Sequence, residues 1–301
     1  MNIAILGAPG CLGRNLIKKL LETTNNFITG SYMSEKEIPK DIPIERVKWQ
    51  KVNLFDSSST EAFLNGCDVL IYLIHSLTAK NFEELDLQLA NSAGKASAKT
   101  GVKKIIYMGG IVPANEKASP HLRSRAETGK ELASHGIPVA EVRASILLET
   151  CSASYLIVYY LAKRLPLMVT PRWLNSLCAP IALEDAVTFI NALLAREIKG
   201  HEIFEIGSDI IRYRDLLTLC GKSIRGARNA IIPVPFFSIY LSSLWIQLIT
   251  GVPNSVGTAL AEGLKTNTIP SKNRFKEVTG KEPIPIETVL AALAKKMEKQ
   301  Q

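Results

Sequence analysis

Two hydrophobic rhythms alternate along this chain. Short unbroken apolar runs mark buried strands, and longer stretches in which apolar residues return every three or four positions mark amphipathic helices. Ile3-Ala4-Ile5-Leu6 is such a run, and in the stretch that follows, Leu16, Ile17, Leu20 and Leu21 share one helical face. Residues 27–30 and 47–52 read as the second and third strands, 57–63 as a helix, and 69–74 as a fourth, fully buried strand. A long helix is predicted over 82–100, a fifth strand over 104–108, a helix containing 127–134 and a sixth strand over 139–147. Near-continuous apolar strands alternating with helices predict an α/β fold: a doubly wound parallel sheet covered by helices on both faces. Ligands in such folds bind beyond the carboxyl ends of the strands, so residues just after each strand are the candidates for function.

The first strand runs into Gly7, Gly10 and Gly13 and then directly into the first helix. A strand, a tight glycine turn and a helix form the context in which this spacing signals a dinucleotide site. The first glycine permits the turn, the second leaves room for a pyrophosphate against the main chain, and the third lets helix and strand pack closely. N–H groups at the helix start, with the positive end of its dipole, then hold phosphate.

Three further segments carry a family resemblance: His75-Ser76 after the fourth strand, Tyr107-Met108-Gly109-Gly110 at the fifth, and His121-Leu122-Arg123-Ser124-Arg125. Together with Pro166, Pro171-Arg172-Trp173 and Glu184-Asp185, they make the chain resemble the atypical, NmrA-like branch of the short-chain dehydrogenase/reductases. The resemblance covers nearly the whole chain and is least defined from about residue 267. It implies a Rossmann core over 1–148 and 181–206, and a smaller, mostly helical substrate lobe over 149–180 and 207–301. It also implies an NAD(P) site formed by Gly7, Pro9, Gly10, Cys11, Leu12, Gly13 and Arg14 at the turn and by Ser31 and Tyr32 after the second strand. Asn53 and Leu54, Ile74 and His75, Gly109 and Arg125 would complete it.

The departures from that family bear on chemistry. Its reductases use a Tyr-x-x-x-Lys pair, with a serine after the fifth strand. Here His121 and Arg125 stand at the pair's positions, and Gly109 and Gly110 replace the serine. His121 is the candidate proton donor, since an imidazole titrates near neutrality, and the alternative is a histidine in a surface loop. Arg125 is a fixed cation for ribose or phosphate. His75 is expected to line the cofactor groove, and His135 and His201 to be solvent-facing turn residues. An acidic residue at the end of the second strand would bind the ribose of NAD. Gly30-Ser31-Tyr32-Met33-Ser34 offers none, with Glu35 the nearest carboxylate, so NADP(H) is the expected cofactor. Asn53 either hydrogen-bonds adenine or caps its turn.

Composition narrows the class. At 301 residues and 47% hydrophobic content the chain can bury a large core. Its five cysteines are scattered without a CxxC pair, which predicts reduced thiols, no metal site and a cytoplasmic protein. Residues 207–301 hold 13 Lys/Arg against 7 Asp/Glu, so this third carries most of the net +8. No aromatic-interleaved basic motif accompanies it, and a nucleic-acid partner is not expected.

Between Arg228 and Glu262 no charge occurs. The stretch is too short and too polar to span a bilayer, which needs about 20 apolar residues. Segment 233–253 is therefore a pocket-lining helix or a peripheral membrane contact. Tyr155, Tyr159 and Tyr160 read as packing residues on a helix that walls a pocket, and Trp173 beside Arg172 is a candidate contact for an acidic apolar ligand. Three functions follow: an NADP(H)-dependent reductase of a hydrophobic carbonyl compound, a dinucleotide-sensing regulator without turnover, or a membrane-associated assembly or quinone-related accessory protein.

Overall fold

The computed structural model describes residues 1–113, 118–234 and 239–300. Its elements run β1 (Asn2–Leu6), α1 (Cys11–Thr23), β2 (Phe27–Tyr32), β3 (Lys48–Lys51), α2 (Ser57–Leu64), β4 (Val69–Tyr72), α3 (Phe82–Thr100), β5 (Lys104–Gly110), α4 (Pro120–Ala133) and β6 (Val139–Ala144). There follow β7 (Leu147–Leu148), α5 (Ala153–Arg164), β8 (Leu167–Pro171), β9 (Leu177–Cys178), β10 (Ile181–Ala182), α6 (Leu183–Ala195) and β11 (His201–Ile206). The chain ends with β12 (Ile211–Arg212), α7 (Tyr213–Arg225), β13 (Ala230–Val234), α8 (Ile239–Thr250), α9 (Asn254–Gly263), α10 (Phe275–Thr279) and α11 (Ile286–Glu298).

The central sheet has the order β11-β6-β5-β4-β1-β2-β3, and all its pairs are parallel. It is the doubly wound Rossmann order, with the reversal of direction between β1 and β4. Strand periodicity builds both faces. Ile3 and Ile5 of β1, with Val69 and Ile71 of β4, join the core under α1 and α6. Ala4 and Leu6, with Leu70 and Tyr72, join the core under α2 and α3. Lys104, buried in β5, donates from Nζ to the carbonyls of Leu193, Leu194 and Arg196 and so satisfies the C-terminal end of α6.

Beyond the sheet, α5, α7 and α11 enclose a further core with Tyr155, Tyr159, Leu216 and Leu290. The parallel ribbon β8–β13 and helices α8 and α9 pack around it. Tyr155 and Tyr159 are fully buried packing residues, as their helical spacing suggests.

Several expectations are corrected. The predicted strand over 139–147 stops at Ala144. Its carbonyl accepts from Ile111, and Leu147–Leu148 leaves the sheet to pair with β10. His121 is not in a loop: Ser119 caps α4 through its Oγ, Pro120 opens the helix, and His121 lies in its first turn. His201 is not a solvent-facing turn residue. It lies in β11, with Nε2 2.7 Å from Oε2 of the fully buried Glu141, which also accepts from Arg143 at 2.6 Å. His135 packs its ring on Gly94 of α3, where a Cβ would meet it at 2.1 Å.

The expectation of five reduced thiols is also corrected. Cys11 at the start of α1 and Cys151 before α5 form a disulfide across 140 residues, and Cys67, Cys178 and Cys220 are free and buried. The fold brings the glycine turn against the segment that leads into α5, a proximity that spacing in sequence does not encode. A cross-link of this kind is worth about 2–4 kcal/mol in typical domains.

Candidate active site

The turn after β1 is a cradle that only glycine builds. Gly7 has φ +83°, and a Cβ on Gly13 would stand 2.5 Å from the Ala8 carbonyl oxygen and 2.6 Å from that of Gly7. A Cβ on Gly10 would meet only the Gly7 oxygen, at 3.2 Å, so this position keeps open space beside the main chain. No side chain caps the N-terminus of α1 and no carboxylate stands in its first turn, which leaves that positive end to a ligand.

A cleft of about 750 Å³ opens at this turn, across the carboxyl ends of β1, β2, β3 and β4. Its walls include Gly7, Pro9, Gly10, Ser31, Tyr32, Asn53, Leu54, Ile74 and His75. The Ser31 hydroxyl accepts from the Gly7 N–H at 3.1 Å and ties the second strand to the turn. Asn53 caps its own turn, its Oδ1 accepting from Phe55 N–H at 3.1 Å. Of the other expected cofactor residues, Cys11 is in the disulfide, Leu12 packs on the core, Gly13 holds α1 close and Arg14 lies on α1. Gly109 packs beside Glu141, and these five are not among the cleft walls. Arg125 is not a wall residue either: its guanidinium donates to the Met108 carbonyl and lies 5.5 Å from the Tyr107 ring centre.

The walls also hold an unexpected carboxylate. Glu37 accepts from the Met33 N–H at 3.1 Å, so its side chain folds back to the end of β2 inside the cleft. The expectation of NADP(H) rested on Ser31, Ser34 and Arg14 as partners for a 2′-phosphate and on the absence of a carboxylate there. Glu35, the nearest in sequence, stays exposed in a short 3-10 turn.

At the other end of the cleft stands a chain of three titratable groups. Asp86 of α3, 3% exposed, accepts from His75 Nδ1 at 2.9 Å, from the Ser76 N–H at 2.9 Å and from the Ser124 hydroxyl at 3.2 Å. His75 Nε2 lies 3.1 Å from His121 Nδ1, with the two rings stacked at 4.9 Å. Burial works to raise the Asp86 pKa, but the hydrogen bonds from His75 and Ser76 outweigh it and the carboxyl titrates below its usual range. Burial, followed by the Arg125 charge, lowers the His75 pKa against the pull of Asp86. Burial, then His75 and Arg125, hold His121 well below an ordinary imidazole.

The tautomers follow from these states. An ionised carboxylate only accepts, so His75 carries its proton on Nδ1 and its Nε2 is an acceptor. His121 must then donate from Nδ1, which leaves a bare lone pair on His121 Nε2. At neutral pH the ring stays neutral, and this atom is a hydrogen-bond acceptor rather than a donor.

His121 also lines a small apolar pocket of about 80 Å³ with Ser145, Ile157, Val158, Tyr213, Leu264 and Thr268, among others. Ser145 and Thr268 hydroxyls are 2.7 Å apart, and the Tyr213 hydroxyl is 3.4 Å from Thr268. Burial pushes the Tyr213 pKa far up, so it stays an O–H donor. The histidine pair therefore stands between the cleft and a pocket whose walls carry the hydroxyls of Ser145, Ser154, Tyr213 and Thr268. Sequence reading missed Asp86, Ser124, Ser145, Tyr213 and Thr268. Only Asp86 carried a signal: a carboxylate on the face of α3 that also presents Leu89, Ala90 and Ala93 to the core. The side chains of Arg172 and Trp173 lie outside the described residues.

Residues 7–160 match the NAD(P)H-binding family. The chain belongs to that family. The match accords with the resemblance to the NmrA-like short-chain reductases. No curated protein sequence matches the chain. Among solved structures it is similar to a nucleoside-diphosphate-sugar epimerase from Staphylococcus aureus (15% identity, TM-score 0.78, 97% of this chain and 100% of that one). It is equally similar to the Citrobacter sp. triphenylmethane reductase complexed with NADP(H) (16%, 0.78, 97% and 99%). The NADPH-dependent quinone oxidoreductase from Escherichia coli complexed with NADPH gives 15%, 0.77, 97% and 99%. At these identities the likeness is one of fold. The residues fit the family's ligand: the glycine cradle, the uncapped α1 terminus and the long cleft provide for a pyrophosphate between two nucleotide halves.

Proposed function

We propose that this family member is an NAD(P)(H)-dependent oxidoreductase that interconverts a hydrophobic carbonyl compound and its alcohol. The observation that carries the reading is the Asp86–His75–His121 chain, which reaches from the cofactor cleft to the pocket of Ser145, Tyr213 and Thr268. When bound, the dinucleotide supplies or takes up the hydride.

The chain's own residues handle the oxygen and its proton. The hydroxyls of Ser145 and Thr268 hydrogen-bond the substrate oxygen. His121 Nε2 takes the proton of an alcohol in the oxidative direction, and the imidazolium returns it to the oxygen in reduction. Asp86, through His75, holds the acceptor tautomer and stabilises the positive charge that then develops. Arg125 opposes that charge, so the imidazolium is short-lived and reduction speeds up as pH falls.

Neither the family match nor the fold distinguishes NAD(H) from NADP(H). In our reading the choice rests on Glu37, whose carboxylate at the end of β2 favours a ribose diol and repels a 2′-phosphate. A dinucleotide sensor without turnover is the competing function. Titration with NADH and NADPH, followed by their oxidation against a panel of aliphatic ketones, separates the two. We expect saturable binding, lost in Gly10→Asp, together with turnover. Binding without oxidation of the cofactor by any ketone would leave the sensor reading, and wild-type affinity in Gly10→Asp would remove the site itself.

A further inference from the structure

The pocket at His121 adjoins a second cavity of about 350 Å³, with Ile157, Val158, Tyr213 and Leu264 common to the walls of both. The second cavity lies between α5, α7, α8 and the β8–β13 ribbon. Leu161, Leu165, Met168, Leu217 and Ile246 contribute to its lining, and among the described residues no charged side chain does. Apart from Thr170 and Tyr213, every described wall residue offers hydrocarbon or thioether. Such a space offers water few partners and leaves its walls without dispersion contacts, so an apolar chain is its natural occupant. Its volume falls within the ~300–1,000 Å³ of small-molecule sites.

Two further observations give the occupant a direction. Leu167 and Val169, both wall residues, are 58% and 51% exposed, so the cavity has an apolar rim at the surface. Thr170, Pro171 and Leu174 also border a polar pocket with Arg214, Asp215 and Arg228, where the apolar run ends. At the opposite end stand the groups of the small pocket: His121, Ser145 and Thr268.

From this arrangement we infer that the substrate is a long-chain aliphatic ketone or secondary alcohol, with its oxygen at His121 and Ser145 and its unbranched tail in the second cavity. The inference rests on the oxidoreductase reading for the identity of the head and on the cavity alone for the tail. The charge-free helix α8, through the buried Ile246, is part of the tail's wall.

The test is calorimetric binding of butan-2-ol, hexan-2-ol, octan-2-ol and decan-2-ol to the full chain with cofactor present, beside reduction rates of the matching ketones. Affinity should rise about fourfold per methylene until the cavity is filled, as burial of each CH₂ predicts. In Leu161→Phe that rise should break off at a shorter chain. Ile246→Phe serves if the first variant fails to fold, as judged by thermal unfolding. A flat affinity along the series, or no binding at all, overturns the inference. Turnover with no dependence on chain length overturns it while leaving the oxidoreductase reading in place. A steep rise in affinity without turnover of any ketone supports the tail site and counts against the oxidoreductase reading.

Discussion

Asp86 sets the chemistry of a residue it does not touch. Its carboxylate fixes the proton of His75, and His75 fixes that of His121, so one buried charge decides which atom of His121 is bare. Asp86→Asn should reverse this logic, because an amide N–H can donate to His75 Nδ1 and propagate the opposite tautomer. We expect turnover to fall by about 10²–10⁴-fold, the span of general acid–base catalysis, with dinucleotide affinity unchanged. Parallel losses in both quantities would mean that Asp86 merely holds α3 in place.

The depressed imidazole pKa of His121 also makes a claim about stability. Unfolded, the ring titrates near 6.5; folded, it resists protonation until well below that. The unfolded state therefore binds more protons in the interval, and stability falls as pH drops from about 6.5. In urea melts at pH 7.5 and 5.5, His121→Gln should lose less stability between the two pH values than wild type does. An equal loss would show that other groups govern the acid side.

Among the elements, the strands and the first turn were legible because local rules determine them. β4 throughout and β1 from Ile3 to Leu6 are apolar because both faces are covered, and the spacing of Gly7, Gly10 and Gly13 encodes a turn that needs a positive φ at the first and has no room for a Cβ at the third. The boundaries of α3 are readable from its periodicity and from Gly101, which caps it in the left-handed conformation. What was not legible depends on pieces far apart in sequence. Cys11 meets Cys151, His75 meets His121, and Ser145 meets Thr268 only after the sheet and the helical lobe have assembled. Glu37 was hidden for a more local reason. It lies beyond β2, and only the 3-10 turn at Glu35–Glu37 folds its carboxylate back onto Met33. Glu37→Ser should raise NADPH affinity relative to NADH by about tenfold, the scale of removing about 1.4 kcal/mol of repulsion. An unchanged ratio, read from fluorescence titrations with both cofactors, would assign cofactor choice elsewhere.

At the scale of the whole molecule, the sheet presents the carboxyl ends of β1 to β4 to the dinucleotide, while α5, α7, α8 and β8–β13 enclose apolar space beside His121. The segment expected either to line a pocket or to touch a membrane does the first at Ile246, whereas Leu248 is 74% exposed. Pro235, Phe236 and Phe237 of that segment lie outside the described residues. No helix among the described residues is long and apolar enough to cross a membrane. The disulfide from the α1 start to the α5 entrance joins the two parts covalently at the site's edge.

The central claim is that these parts form one reaction centre in which His121 exchanges the proton. Its most direct test is single-turnover oxidation of bound NADH or NADPH by decan-2-one at pH 6, in wild type and in His121→Gln. The account predicts rapid cofactor oxidation in wild type and a loss of at least about 100-fold in the variant, with cofactor affinity retained. Equal rates in the two proteins would contradict it.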